Sequence, residues 1–259
     1  MNILDKIIAH KKEEVEVRRM MISETALQNC SHFNRACLSL KQNLLIENAT
    51  GIIAEFKRRS PSKGFINQHA DAVTVTAAYT QAGASGLSIL TDHEFFGGSN
   101  QDLITSRLHH IPILRKDFII DRYQLTESKA MGADVILLIA ACLTRTQVEE
   151  LAAYAKQLGL EVLLELHDES ELDHICEAID MVGINNRNLK TFKVDIQHSI
   201  RLSKAIPSGK VKIAESGISD SATIKIFKDA GYRGFLIGEN FMKENDPGNA
   251  FEDFVKKLQ

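Results

Sequence analysis

The chain of 259 residues has no tryptophan, four cysteines and four prolines, and each scarcity removes a class of protein. Cys30, Cys37, Cys142 and Cys176 show no C-x-x-C spacing and no histidine at zinc-finger intervals. A disulfide framework and a zinc module are therefore excluded, and the four read as reduced core thiols. Fifteen glycines with four prolines are too few for collagen or a linker-rich chain. Charge of one sign is also missing. Lys plus Arg number 31 and Asp plus Glu 34, a net charge of −3, which gives no footprint for nucleic acid or an anionic membrane. The longest fully apolar run, Val135 to Leu143, is nine residues, against the roughly 20 that span a bilayer. The charged stretch His10-Lys11-Lys12-Glu13-Glu14 stands where a signal peptide needs an apolar core. The expected place is the cytoplasm. At this length one compact domain buries roughly 70–75% of its unfolded surface and needs no staple.

What is present is a repeat of short aliphatic runs: Gly51-Lys57, Gly86-Asp92, Pro112-Phe118, Asp134-Ala140, Glu161-His167, Met181-Arg187, Lys210-Ser216 and Gly234-Asn240. Between them lie segments of helical spacing, such as Val148, Leu151, Ala152, Ala155 and Leu158. Gly83, Gly132, Gly159 and Gly231 punctuate the ends of these segments just before the next strand. Strand and helix alternating at this interval predict βαβ units and a parallel sheet. An open doubly wound sheet would want a G-x-G-x-x-G turn, and none occurs. Eight units in this length predict an α/β fold, a single (β/α)8 TIM barrel over residues 1–259. Residues 1–46 precede the first strand and read as a helical N-terminal extension, with Leu4, Ile7, Ile8 and Val15 on one face.

Side chains two apart along a strand share a face. In the first run Ile52, Ala54 and Phe56 suit the helix-facing side, which turns Ile53, Glu55 and Lys57 inward. The same phase turns Lys116, Glu165, Asn185 and Arg187 inward from the third, fifth and sixth runs. All then approach the C-terminal mouth, where barrel enzymes react. A lone strand-end charge is usually solvated or paired. Six polar residues on the inward phase of four strands are a different matter, because uncompensated burial costs several kcal/mol each. His167, just past Glu165, reads as a rim or loop residue. The seventh run is ambiguous, since Lys212 as well as Glu215 interrupts an apolar face. The last two runs end in Glu215-Ser216-Gly217 and Gly238-Glu239-Asn240, small residues whose backbone amides suit a phosphate.

The stretch Ile53-Ala54-Glu55-Phe56-Lys57-Arg58-Arg59-Ser60-Pro61-Ser62-Lys63-Gly64 is similar to that of the indole-3-glycerol-phosphate synthases. Leu87 to Asp92 with Phe96 to Ser99, Leu114 to Phe118, Gly183 to Arg187 and Ala214 to Ile218 carry the same resemblance across essentially the whole chain. It implies a (β/α)8 barrel and a phosphorylated small-molecule substrate, 1-(2-carboxyphenylamino)-1-deoxyribulose 5-phosphate. It implies no cofactor and no metal. It places catalytic groups on Glu55, Lys57, Lys116, Glu165 and Asn185. Substrate and phosphate contacts fall on Ser60, Phe96, Phe118, Arg187, Glu215, Ser216, Gly217 and Gly238, with Glu239 beside them. Many relatives carry Ser after Gly238; an ionised Glu cannot donate to phosphate, so a contact there would come from backbone N–H. Phosphoribosylanthranilate isomerases resemble a different pattern, Cys on strand one and Asp on strand seven, where this chain has Glu55 and Lys57 on strand one. A non-catalytic barrel is disfavoured by the presence of both Lys and both Glu. No nucleic-acid or membrane partner is expected, and the oligomeric state is expected to be a monomer or weak homodimer.

Overall fold

The computed structural model describes residues 3–187 and 193–258. Residues 1, 2 and 259, inside the expected domain boundaries, lie outside the described residues. Eight parallel strands close into a barrel: β1 Ile52–Phe56, β2 Gly86–Leu90, β3 Ile113–Lys116, β4 Val135–Ile139, β5 Glu161–Leu166, β6 Met181–Asn185, β7 Val211–Glu215 and β8 Gly234–Ile237. Each pairs with its neighbours in sequence, and β1 closes the ring against β8 through Ile52–Phe235 and Ala54–Ile237. Three helices precede the barrel: α1 Ile3–Met21, α2 Glu24–Gln28 and α3 Leu40–Leu45. Around it follow α4 Ala72–Gln81, α5 His93–Phe96, α6 Asn100–Ser106, α7 Arg122–Met131, α8 Arg145–Gln157, α9 Ile196–Leu202, α10 Ser221–Asp229, α11 Glu239–Met242 and α12 Pro247–Lys256.

Local signals account for these elements. In α8 a capping box of Thr144 and Gln147 satisfies the first amides, and Val148, Leu151, Ala152 and Ala155 form its buried stripe. Gly132 ends α7 in the left-handed region at φ 92°, which a side chain would strain. The strand phase expected from alternation is the one observed. Ile52, Ala54, Phe56, Val162 and Leu164 pack outward against helices, while Ile53, Leu114, Leu163 and Leu236 fill the barrel. The seventh strand resolves the same way: Ile213 faces inward, and Lys212 lies outside with its Nζ 3.2 Å from the Ser203 carbonyl. Leu40 and Leu44 of α3 plug the floor beneath Ile53 and Ile213. A Cβ on Gly86 would meet Leu40 at 2.5 Å, so the bare backbone there admits the plug.

Helix α1 is joined to the barrel by a closed ring of six alternating charges. Lys11 pairs with Asp117 at 2.9 Å, Asp117 with Arg115 at 3.0 Å, and Arg115 with Glu127 at 2.7 Å. Glu127 pairs with Arg18 at 3.1 Å, Arg18 with Glu14, and Glu14 with Lys11 at 2.7 Å. Lys11 also reaches Asp92 at 2.9 Å, and the Lys11, Asp92, Asp117 and Arg115 side chains are wholly buried. Burial raises the Asp117 carboxyl, but Lys11 and Arg115 outweigh it and hold it well below the usual carboxylate range. Removing one member of such a set leaves the others as uncompensated buried charges. Lys11→Met, which keeps the stem and deletes the charge, should cost about 3–5 kcal/mol, read as an earlier midpoint in equilibrium denaturation. A midpoint equal to that of the unsubstituted chain would mean that the ring contributes nothing to stability.

Candidate active site

All the residues expected in the site line one cavity of about 410 Å³ at the C-terminal mouth of the barrel. The pleat brings them there, since Glu55, Lys116, Glu165, Asn185 and Glu215 occupy inward positions near the ends of five different strands. Lys116 Nζ stands 3.1 Å from Glu165 Oε2 and 3.8 Å from Glu215 Oε2. Lys57 Nζ stands 2.5 Å from Glu55 Oε1. Asn185 donates from Nδ2 to Glu165 Oε1 at 2.9 Å, and its Oδ1 accepts from the Arg187 amide at 3.0 Å. The neighbouring glycines make room for the acids. A Cβ on Gly183 would lie 2.1 Å from Glu215 Oε1, and one on Gly238 2.7 Å from Glu55 Oε1.

The buried carboxyls differ in charge. Burial raises Glu165, but Lys116, His167 and Asn185 overcome it and hold the group well below the usual carboxylate range. Glu215 is raised to about 8, first by burial and then by the charges of Glu165 and Glu55, with Lys116 opposing. Burial lowers Lys116, yet Glu165, Glu215 and Glu55 raise it above its ordinary value, so it is an ammonium. An ammonium, a carboxyl held low and a carboxyl pushed up therefore stand side by side in the mouth.

The walls are apolar. Phe96 from α5 and Phe118 after β3 lie with ring centroids 5.9 Å apart. Ile3, Leu4 and Ile7 of α1 add apolar surface to the same lining. The extension thus lines the cavity as well as packing on the barrel, a role its apolar stripe, with Leu4 and Ile7, does not by itself reveal. Ser60 is buried on the loop after β1, 3.5 Å from Ser62. The rim joins that loop to two others, since Arg187 approaches Ser62 Oγ and Glu239 Oε2, both at 3.4 Å. Glu239 also pairs with Lys63 at 2.6 Å. Burial raises its carboxyl, but Lys63, Arg187 and Lys57 pull it below the usual range.

Ser216 and Gly217 both take positive φ, 67° and 71°. A Cβ on Gly217 would strike Val194 at 2.4 Å. Gly238 caps α11 with no side-chain bond, whereas each of the other described α-helix N-caps supplies a side-chain oxygen. Its first amides thus have no side-chain acceptor at the cap. His167 lies in the loop just past β5, one of the two positions expected for it, but its side chain is 12% exposed and packs between Glu165 and Glu171. Lys11, read from the sequence only as a charge that interrupts a leader, lies buried beneath the two phenylalanine walls. Its partner Asp92 caps α5, which carries Phe96, and its partner Asp117 separates Lys116 from Phe118.

Because folding raises the Glu215 value, its contribution to stability is complete below its ordinary carboxylate value and is lost as pH rises through about 8. Glu215→Gln should therefore flatten the fall in melting temperature between pH 5 and pH 9. A fall of equal steepness in the variant would assign it to other groups.

Several relatives match the chain closely. The family model described as indole-3-glycerol phosphate synthase matches residues 4–254. An indole-3-glycerol phosphate synthase of Bacteroides thetaiotaomicron is 51% identical over 259 residues, covering 100% of this chain and 99% of its own length. One of Bordetella pertussis is 41% identical over 252 residues, covering 95% and 96%. Among solved structures, the Salmonella typhimurium 3-hexulose-6-phosphate synthase superposes with TM-score 0.63 at 14% identity, covering 81% of this chain and 98% of its own. A chain of the Pyrococcus furiosus tryptophan synthase complex gives 0.59 at 14% identity, covering 80% and 97%. Those two likenesses establish the barrel alone. With the family match spanning nearly all of the barrel and its extension, the chain belongs to the indole-3-glycerol phosphate synthase family.

Proposed function

We propose that Lys116 is the general acid and Glu165 the general base of the family's reaction in this cavity. The activity is that of a carboxy-lyase of tryptophan biosynthesis, forming indole-3-glycerol phosphate. The substrate joins a 2-carboxyphenyl ring, through nitrogen, to a ketose phosphate. The ring carbon bearing the carboxylate attacks the ketone, and Lys116 gives a proton to the carbonyl oxygen. The bond to the carboxylate then breaks, CO₂ leaves, and the electron pair restores the aromatic ring. The new hydroxyl departs as water with a proton from Lys57, while Glu165 takes one from the carbon between it and the nitrogen.

One observation carries this reading: an ammonium held between two carboxyls, 3.1 Å from the ionised one, beside an apolar wall. Acid and base both line the cavity, so each can reach a substrate bound there, as proton transfer to and from it requires. Asn185 orients the base, Glu55 supports Lys57, and Phe96 with Phe118 flank the aromatic ring. Ser60, Arg187 and Glu215 bind the rest of the substrate. The phosphate rests on the amides of Ser216-Gly217 and Gly238-Glu239, beyond β7 and β8, where phosphate barrels hold that group. Glu239 takes part through its amide while its side chain joins Lys63 to Arg187. Remote binding of this kind positions the reacting ring and ketone.

In the same reading residues 1–259 form one domain with 1–46 as its helical extension, acting in the cytoplasm as a monomer or weak homodimer. No helix among the described residues is long and apolar enough to cross a membrane.

Product formation followed by fluorescence tests the assignment. Lys116→Met should lower turnover by roughly 10²–10⁴-fold; near-normal turnover would remove Lys116 from the acid role. Sulfate soaked into crystals should sit between the Ser216-Gly217 and Gly238-Glu239 amides, and an anion seated only elsewhere would overturn the phosphate assignment. Substitution at Gly217 is a poorer probe, because positive φ and Val194 penalise any side chain there irrespective of phosphate.

A further inference from the structure

Glu165 and Glu215 pose a question that Lys116 does not answer alone. Both carboxyls are buried, both approach the same ammonium, and yet one is ionised while the other is pushed up to about 8. Three things differ: Lys116 stands nearer to Glu165, 3.1 Å against 3.8 Å, Asn185 donates to Glu165 Oε1, and a histidine ring meets that same oxygen. His167 Nε2 lies 3.1 Å from Glu165 Oε1, and the other ring nitrogen, Nδ1, lies 3.7 Å from Glu171 Oε2. Both ring nitrogens are sealed from solvent and have these two carboxyl groups as their charged neighbours. A ring held between two carboxyl groups in this way is favoured in its charged form.

Its backbone is anchored on both sides. The His167 amide donates to Glu171 Oε2 at 2.6 Å, and its carbonyl oxygen meets His198 Nε2 at 2.9 Å. The ring does not line the cavity, so it has no path to substrate.

We infer that His167 is a positioning residue for the reaction: clamped between Glu165 and Glu171, its ring fixes Glu165 as a ready proton acceptor. This rests on the reading of Glu165 as the base. Other charged or titratable groups act on the cluster from the surrounding elements. Lys116 of β3 and Glu215 of β7 face Glu165, Asp168 follows the ring in sequence, and His198 of α9 touches its carbonyl. Cys142, between β4 and α8, lies within the field of both Glu165 and Glu171. Burial lowers the imidazole, but Glu165 and Glu171 overcome it and raise the group to about 10. The ring thus stays charged throughout the range in which Glu165 must stay ionised. Glu215 feels the same ring only through its field, with no ring nitrogen in contact, and burial with the charges of Glu165 and Glu55 raises it.

The test compares His167→Leu, His167→Gln and Glu165→Gln from the lowest pH at which the enzyme stays folded up to pH 9. In His167→Leu, kcat should fall roughly tenfold with KM nearly unchanged. The acid limb of its kcat profile should move up by about one unit or more. His167→Gln, which restores a donor without charge, should recover part of kcat while keeping the displaced limb. Nitrogen-15 NMR of the histidine ring, assigned by its loss in His167→Gln, should report a protonated ring at pH 8 that titrates lower in Glu165→Gln. A neutral ring at pH 8 overturns the inference, and this measurement decides the matter if His167→Leu does not fold. An unmoved limb in the histidine variants, with activity lost in Glu165→Gln, also overturns it while leaving the base in place. Full activity in Glu165→Gln would overturn the base assignment, and the inference with it.

Discussion

A charge taken out of water must meet an opposite charge, and in this barrel β3 satisfies that requirement on both faces at once. The pleat turns Arg115 and Asp117 outward and Lys116 inward, three consecutive residues in two separate clusters. Outside, Arg115 and Asp117 enter the ring that Lys11, Glu14 and Arg18 of α1 close with Glu127. Inside, Lys116 balances Glu165 and Glu215. The ammonium in the mouth is thus carried on a strand end whose two flanking side chains are locked from behind, a geometry that favours a preorganised acid.

The same arrangement gives the N-terminal helix two tasks. Its first turns present Ile3, Leu4 and Ile7 to the cavity, and its middle sends Lys11 beneath the loops that carry Phe96 and Phe118. Asp92, one of the two carboxylates Lys11 joins, accepts the Phe95 amide at 2.9 Å and so begins the turn that bears Phe96. Asp117, the other, accepts the Phe118 amide at 2.8 Å. Both aromatic walls are therefore tied through one buried cation to a helix that lies outside the barrel sheet. The floor repeats the logic with apolar groups, where Leu40 and Leu44 of the extension fill what the strands leave open.

Within the mouth, the division of labour among carboxyls comes from their neighbours and not from their residue type. Glu165 has an ammonium, an amide donor and an imidazole, and it is ionised. Glu215 is buried with the ammonium at a longer distance and two like charges nearby, and it is pushed up to about 8. A pair of acids pushed apart in this way can hold a proton and accept one within the same small volume, which a sequence of protonation, decarboxylation and dehydration requires.

Much of this was legible in the chain itself. Alternation placed Glu55, Lys116, Glu165 and Asn185 on the inward phase, because the two-residue period of a strand is a local property that side-chain type reveals. The helix stops were equally local. The barrel mouth then followed from parallel strands, whose C-terminal ends must share one side. What only the tertiary structure decided are the pairings between residues distant in sequence. Lys11 with Asp117, Glu239 with Lys63 and Arg187, Val194 against Gly217, and the inward turn of Glu215 over Lys212 depend on how the ring closes. His167 shows the limit most plainly. Its place two residues after Glu165 was known, yet only the fold of the following turn brought Glu171 to its other nitrogen and shut out the water that would have made it a rim residue.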